Sequence, residues 1–143
     1  MDSDEPKRSR LYVDPVLEHF FYPRNVGEIE DPDGVGSLGD PGCGDYFKVW
    51  IRVEGDILTQ VKYKVQGCPS AIAACSMMSV LATGKTVDDA YELEDLDIVR
   101  ALGGLPEAKQ HCSNHAASAL REAIDDYVFR KPASRRAVTD GRP

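Results

Sequence analysis

Hydrophobic and polar residues alternate with a period of two along residues 45–53, DYFKVWIRV. Phe47, Val49, Ile51 and Val53 fall on one side, and Tyr46, Lys48, Trp50 and Arg52 on the other. That pattern predicts a strand with one buried face. Glu54, Gly55 and Asp56 give a turn signal, and residues 57–65 alternate again through Ile57, Val61, Tyr63 and Val65. The two runs read as an antiparallel hairpin. After Gly67 the period becomes helical. Residues 70–83 are apolar almost all round and stop at Gly84, which predicts a buried helix. Thr86 to Asp89 carry a capping-box pattern, and residues 95–102 suggest a further short helix closed by Gly103 and Gly104. A long last helix begins near Ser113, with Ala116, Leu120, Ala123, Ile124 and Tyr127 on one face. Upstream, Asp14 as N-cap and Pro15 at the first helical position open a first helix. Val13, Leu17, Phe20 and Phe21 form its apolar stripe, and Pro23 ends it. Residues 23–44 read mostly as loop, with a short strand at 34–38 as the least supported element. The order of elements predicts an α+β fold. A small antiparallel sheet of about three strands carries helices on one face, the last of them long.

The chain has 143 residues, one domain's worth, with 42% hydrophobic and 29% charged residues. That is a globular composition, and the length allows a core without disulfides. The formal charge of −7 is spread over the chain rather than offset by a basic footprint, which argues against a nucleic-acid partner. No run approaches the apolar length of a membrane span. The first ten residues, MDSDEPKRSR, lack the apolar stretch of a secretion signal, so a cytoplasmic, reducing location is expected. Residues 1–11 read as a flexible N-terminal tail, 12–130 as the domain and 131–143 as a flexible tail. That last tail is basic, with Lys131, Arg135, Arg136 and Arg142 against Asp140.

In a reducing compartment, four cysteines point to metal binding or catalysis rather than cross-links. Cys43, Cys68 and Cys112 fall at junctions between elements, whereas Cys75 lies two turns into the buried helix and reads as a core residue. Cys43 stands between two glycines just before the first hairpin strand, with Asp45 two residues on. Cys68 sits where the hairpin ends and the buried helix starts. Cys112 follows His111 directly at the start of the last helix. The positive end of a helix dipole lowers a thiol pKa, and the thiolate is the form that binds metal. If these three junctions meet, they gather three thiolates, a carboxylate and an imidazole. Three thiolates and one more ligand satisfy a tetrahedral zinc or a [2Fe–2S] cluster. Either Asp45 or His111 can complete the set. A carboxylate or imidazole in place of a fourth thiolate weakens retention of the cluster. His19 reads as a surface or packing residue. His115, one turn beyond His111, is a second candidate for the site, while Met77 and Met78 read as core. A thiol enzyme using Cys112 with His111 or His115 as base is disfavoured, because adjacent side chains usually diverge and no oxyanion hole is evident.

Four segments carry a resemblance. They are Phe21-Tyr22-Pro23-Arg24-Asn25-Val26-Gly27, Gly42-Cys43-Gly44-Asp45, Gly67-Cys68-Pro69-Ser70-Ala71-Ile72-Ala73 and Lys109-Gln110-His111-Cys112-Ser113. In this order and at this spacing the chain resembles the IscU/NifU N-terminal family of iron–sulfur cluster assembly scaffolds, over about residues 12–130. The resemblance implies a scaffold rather than a turnover enzyme. It implies that Cys43, Cys68 and Cys112 are assembly cysteines and that Asp45 governs iron binding and cluster lability. It further implies that His111 ligates metal or cluster, that Lys109 lies near the site, and that Cys112 accepts persulfide sulfur. The cargo it implies is a labile [2Fe–2S] cluster built from iron, with zinc as an alternative occupant. The partners it implies are a cysteine desulfurase, a ferredoxin-type reductant and apo-proteins that receive the cluster; a homodimer is left open.

The departures from the family pattern are Pro69 in place of a common glycine, Cys75 in place of a common serine, and Leu105-Pro106-Glu107-Ala108-Lys109. The last differs from the Leu-Pro-Pro-Val-Lys motif that some members present to a dedicated chaperone. The competing reading is a zinc-bound sulfur acceptor that serves the desulfurase.

Overall fold

The structure, a computed structural model, describes residues 13–39 and 44–130. The elements run α1 (Asp14–Phe21), β1 (Gly34–Gly39), β2 (Tyr46–Glu54), β3 (Ile57–Gln66), α2 (Pro69–Ala82), α3 (Val87–Tyr91), α4 (Asp95–Ala101), a 3₁₀ turn (Glu107–Lys109) and α5 (His111–Arg130). The three strands form one antiparallel sheet in the order β1-β2-β3. The expected α+β fold is present, with the strand at 34–38 extended by one residue. Both termini, and the tails expected there, lie outside the described residues.

The hairpin turns at Gly55 and Asp56, both with positive φ, the geometry that favours such residues in two-residue hairpin loops. Simple alternation places Ile57 in the core. A register shift at Arg52/Val53 instead brings Leu58 opposite Val53, so Leu58 is fully buried and Ile57 only half-buried. The Val53 N–H at this irregularity donates to Asp33 Oδ2 at 2.7 Å.

The inner face of the sheet presents Phe47, Val49, Ile51, Val61 and Tyr63 to α2 and α5, and all five are buried. Helix α5 lies against β1 because Gly34 and Gly36 have no side chain there. A Cβ on Gly36 would overlap the Ala119 carbonyl and the Ala123 amide, and one on Gly34 would overlap the Ala123 carbonyl. Ala116, Ala119 and Ala123 supply the matching small surface on the helix. Helix α5 starts at His111, two residues earlier than its apolar stripe suggests, which places Cys112 inside its first turn. Arg121 then ties α5 to the α3–α4 connection by donating to the carbonyls of Tyr91 and Leu93. Thr86 caps α3 through Asp89 N–H, while the reciprocal capping box is formed by Glu94 and Asp97 at α4.

Two expectations need correction at α1. Val13, not Asp14, holds the N-cap position and offers no side-chain bond, because Asp14 is already helical. The buried residues are Val16 and His19, whereas Phe21 is 62% exposed. The reason is polar. His19 Nδ1 and Ser76 Oγ are 2.6 Å apart, and Ser76 Oγ also accepts the Arg24 N–H at 2.9 Å. Asn25 Nδ2 donates to Ser79 Oγ at 2.9 Å. Burial and the Arg24 charge hold the His19 pKa below the ordinary imidazole value. So α1 and the turn after it are fastened to two serines on α2, a helix that reads as uniformly apolar. The three-residue spacing of Ser76 and Ser79 is the signal for this contact.

The outer face of the sheet is also covered. The segment after α1 meets β3 where Gly27 N–H donates to the Tyr63 carbonyl at 2.9 Å. It leaves on the far side, where Asp33 N–H donates to the Ile51 carbonyl at 2.9 Å. Between them, Glu28 pairs with Lys64, and Arg52 donates to the carbonyls of Glu30 and Asp31. Ile29 in this segment is buried, and so is Trp50 of β2, at 7% exposure. The Lys48 ammonium sits 5.0 Å from the Trp50 ring centroid.

Candidate functional site

Three junctions meet at one end of the sheet. Cys68 is the N-cap of α2, in extended backbone at φ −78° and ψ 172°, and Pro69 occupies the first helical position as the sequence implies. The 3₁₀ turn at Glu107–Lys109 swings the chain into α5, so that His111 and Cys112 open the first turn of that helix. Asp45 precedes β2, and its Oδ1 lies over Gly67, 3.2 Å from where a Cβ would stand.

Cys68 Sγ and Cys112 Sγ are 3.8 Å apart, both free thiols. With metal–sulfur bonds of about 2.3 Å and tetrahedral angles, two thiolates on one metal lie about 3.8 Å apart. The pair therefore has the separation of one edge of a tetrahedral site. His111 Nε2 lies 3.7 Å from Cys112 Sγ. One ligand atom each from Asp45, His111 and Cys112 all fall within 4.8 Å of one another. Cys112 is thus the common member: it pairs with Cys68, and it groups with Asp45 and His111. The fifth expected donor, Cys43, lies outside the described residues. The adjacent His111 and Cys112 were expected to diverge. They converge because the first helical turn folds the imidazole back: its Nδ1 lies 3.1 Å from the Ala108 carbonyl.

The two thiols differ in their electrostatics. Burial raises the Cys68 thiol, but the Ala71 N–H, the Cys112 thiol, the Ser70 N–H and the Lys109 charge outweigh it, leaving its pKa below the ordinary thiol value. Cys112 behaves against the helix-dipole expectation. Burial, the neighbouring Cys68 and the Asp45 carboxylate push it up to about 12, against the pull of Lys109. Lys109 thus acts on both thiols. In the metal-free protein Cys68 gives up its proton first. Cys75 is fully buried, and burial holds its thiol far above the usual range. It is the core residue the sequence suggests.

Site-mapped alkylation of metal-free protein should therefore label Cys68 well before Cys112, with Cys75 inert until unfolding. The Cys112 rate should rise about tenfold per pH unit between about pH 7 and about pH 9, following its thiolate fraction. A pH-independent rate at Cys112 equal to that of Cys68 would contradict this ordering.

Ser70 Oγ, Ser113 Oγ and His115 Nδ1 are buried without a hydrogen-bond partner, all within three residues of Cys68 or Cys112. Unsatisfied polar atoms of this kind cost about 1–3 kcal/mol each and tend to cluster where function demands it. His115 also stacks edge-on against His111, an arrangement that the four-residue spacing makes available.

A family model described as the NifU-like N terminal domain matches residues 11–134. The Iron-sulfur cluster assembly scaffold protein IscU 1 of Archaeoglobus fulgidus is 50% identical over 121 residues, covering 85% of this chain and 78% of that protein. The Iron-sulfur cluster assembly scaffold protein IscU of Aquifex aeolicus is 43% identical over 122 residues, covering 84% and 78%. Among solved structures, a scaffold candidate for the SUF iron–sulfur system from Fervidobacterium islandicum superposes with a TM-score of 0.63 at 19% identity. That alignment covers 81% of this chain and 98% of the other, and likens the folds alone. Among the described residues, no helix is long and apolar enough to cross a membrane. The fold, the converging thiols and the match across nearly the whole chain give one conclusion: this chain belongs to the NifU-like N-terminal domain family.

Proposed function

We propose that this chain is a scaffold on which a labile [2Fe–2S] cluster is assembled and from which it passes to apo-proteins. The observation that carries the reading is the thiol pair at 3.8 Å, with an imidazole and a carboxylate grouped around its Cys112 member. Soft thiolates suit iron and sulfide, while a hard or borderline fourth donor loosens the grip. A protein that gives its cargo away needs that balance.

Sulfur arrives as a persulfide on a cysteine desulfurase. The Cys112 sulfur attacks the outer sulfur as its proton passes to His111 Nε2, 3.7 Å away; the S–S bond of the desulfurase breaks, and the desulfurase thiolate leaves. The persulfide now sits on Cys112. Two electrons from a ferredoxin-type donor cleave it, returning the Cys112 thiol and releasing sulfide. Iron is held by Cys43, Cys68 and Cys112 with Asp45 or His111. Lys109 steadies the negative charge of the thiolates. The domain spans residues 12–130 and works in a reducing compartment, the cytoplasm.

The test is anaerobic incubation with a cysteine desulfurase, cysteine, ferrous iron and a reductant. Iron and acid-labile sulfide in equal amounts, with a [2Fe–2S] visible spectrum, are expected. A second reading, a zinc-bound sulfur acceptor, is favoured by the same thiol separation, because tetrahedral zinc requires it equally. Tightly held zinc, no labile sulfide and persulfide on Cys112 would select it.

Asp45→Ala should leave an assembled cluster more persistent and slow its transfer to an apo-ferredoxin by about tenfold or more, the usual scale for altering a metal site's polar surroundings. Faster loss of the cluster from the variant would count against the proposed role of Asp45.

A further inference from the structure

His111 is exposed and offers its Nε2 to Cys112, yet nothing in its own chemistry fixes that orientation. The Ala108 carbonyl can only accept a hydrogen bond, so this contact requires the His111 proton on Nδ1, which in the neutral ring leaves the lone pair on Nε2. Neutral imidazole in water favours the opposite tautomer. A single hydrogen bond at an exposed site competes with water and is little with which to hold both a tautomer and a ring orientation.

The ring beside it supplies the rest. His115 stands one turn further along α5 on the same face, with ring centroids 5.5 Å apart and planes at 73°. On its other side His115 meets Phe47, at 5.4 Å and 68°. Phe47 is fully buried on the inner face of β2, paired with Leu38 and Val65 across the sheet. Three rings therefore run edge-to-face from the sheet to the imidazole at the site. Edge-to-face contacts of this kind are favoured because the positive edge of one ring meets the negative face of the next. The middle ring gains nothing from its buried Nδ1, which has no partner.

We propose that His115 is a positioning residue: wedged between Phe47 and His111, its ring holds His111 on the Ala108 carbonyl and keeps the Nε2 lone pair turned to Cys112. This rests on the reading of His111 as a donor in the scaffold site. It also makes His111 a pre-set donor of that site. The role belongs to the ring and not to its nitrogens. A phenyl ring should perform it as well, and a branched alkyl group of similar bulk should not.

The test compares wild type, His115→Phe and His115→Leu as metal-free, ¹⁵N-labelled proteins. Two-bond nitrogen–proton correlation spectra report the tautomer of each imidazole. Zinc alone, in competition with a chelator, reports the donor set. Wild type and His115→Phe should both show His111 as the Nδ1–H form with equal zinc affinity. His115→Leu should shift His111 to the Nε2–H form and bind zinc about ten- to a hundred-fold more weakly, the usual cost of losing a ligand's supporting partner. An unchanged tautomer and affinity in His115→Leu would overturn the proposal. So would a His115→Phe variant as impaired as His115→Leu, which would assign the effect to a nitrogen of His115. Failure of the scaffold reading would appear separately, as a wild-type protein that accumulates no labile sulfide while its tautomer result stands.

Discussion

Replacing Gly36 with valine is expected to prevent the chain from folding at 37 °C. The position faces the backbone of α5, where even a Cβ would overlap the Ala119 carbonyl, the Ala123 amide and the Glu122 Cβ. Helix backbone cannot rotate aside as a side chain can. Nor can α5 lift away locally, because Ala119, Leu120, Ala123 and Ile124 are buried in the same face. Overpacking a core commonly costs about 1–3 kcal/mol, and a clash with helix backbone lies at or beyond the upper end. A domain of this size is stable by about 5–15 kcal/mol. Gly36→Ala should therefore lose about 3 kcal/mol in urea unfolding, and the larger side chain should abolish cooperative unfolding. Gly55→Asn is the control: its positive φ suits asparagine and nothing lies within 4 Å. If Gly36→Ala unfolded at the wild-type midpoint, α5 would have to lie farther from β1 than described.

Replacing Cys112 with serine is expected to abolish persulfide formation at that position and to halt sulfide incorporation. The hydroxyl nearly matches the thiol in size, so the first turn of α5 should persist, at a cost of about 1–3 kcal/mol for the buried polar group. Cys68 remains beside it, half-exposed and more readily ionised. The variant thus separates two tasks. Alkylation of Cys68 should continue, while desulfurase-dependent sulfur loading, read by mass spectrometry of the intact chain, should fall to background. Sulfur loading at the wild-type rate would transfer the acceptor role to Cys68 or Cys43.

Period alone located the hairpin, the buried helix and the long α5, because each buries one face or its whole circumference. Alternation could not register the irregularity at Arg52/Val53, since one additional residue in a strand leaves both flanking patterns intact. Covering of the outer sheet face was equally hidden. Residues 27–33 have no period, and their hold on the sheet comes through backbone groups, Glu28 and Arg52. At the candidate site, the junctions that hold Cys68, Cys112, Asp45 and His111 were legible in the sequence, and the structure places Cys112 near each of the other three. The ionisation of the thiols was not legible. A helix N-terminus suggested a lowered pKa for both thiols, and burial beside a second thiol and a carboxylate reversed it for Cys112. The convergence of His111 on Cys112 depended on a helix boundary two residues earlier than the apolar stripe marks.

The crossing loop and α5 leave the sheet little exposed backbone with which to recruit another strand. On the β3 side, Val26 bridges Tyr63, and Thr86 bridges Ile57. On the β1 side, the Val35 N–H is taken by Asp126 Oδ2 at 2.9 Å. Edges blocked by a loop and by an acidic side chain are poor templates for strand addition. The chain is thereby kept from polymerising through its sheet. Any pairing of two copies would have to use side chains rather than extend the ladder.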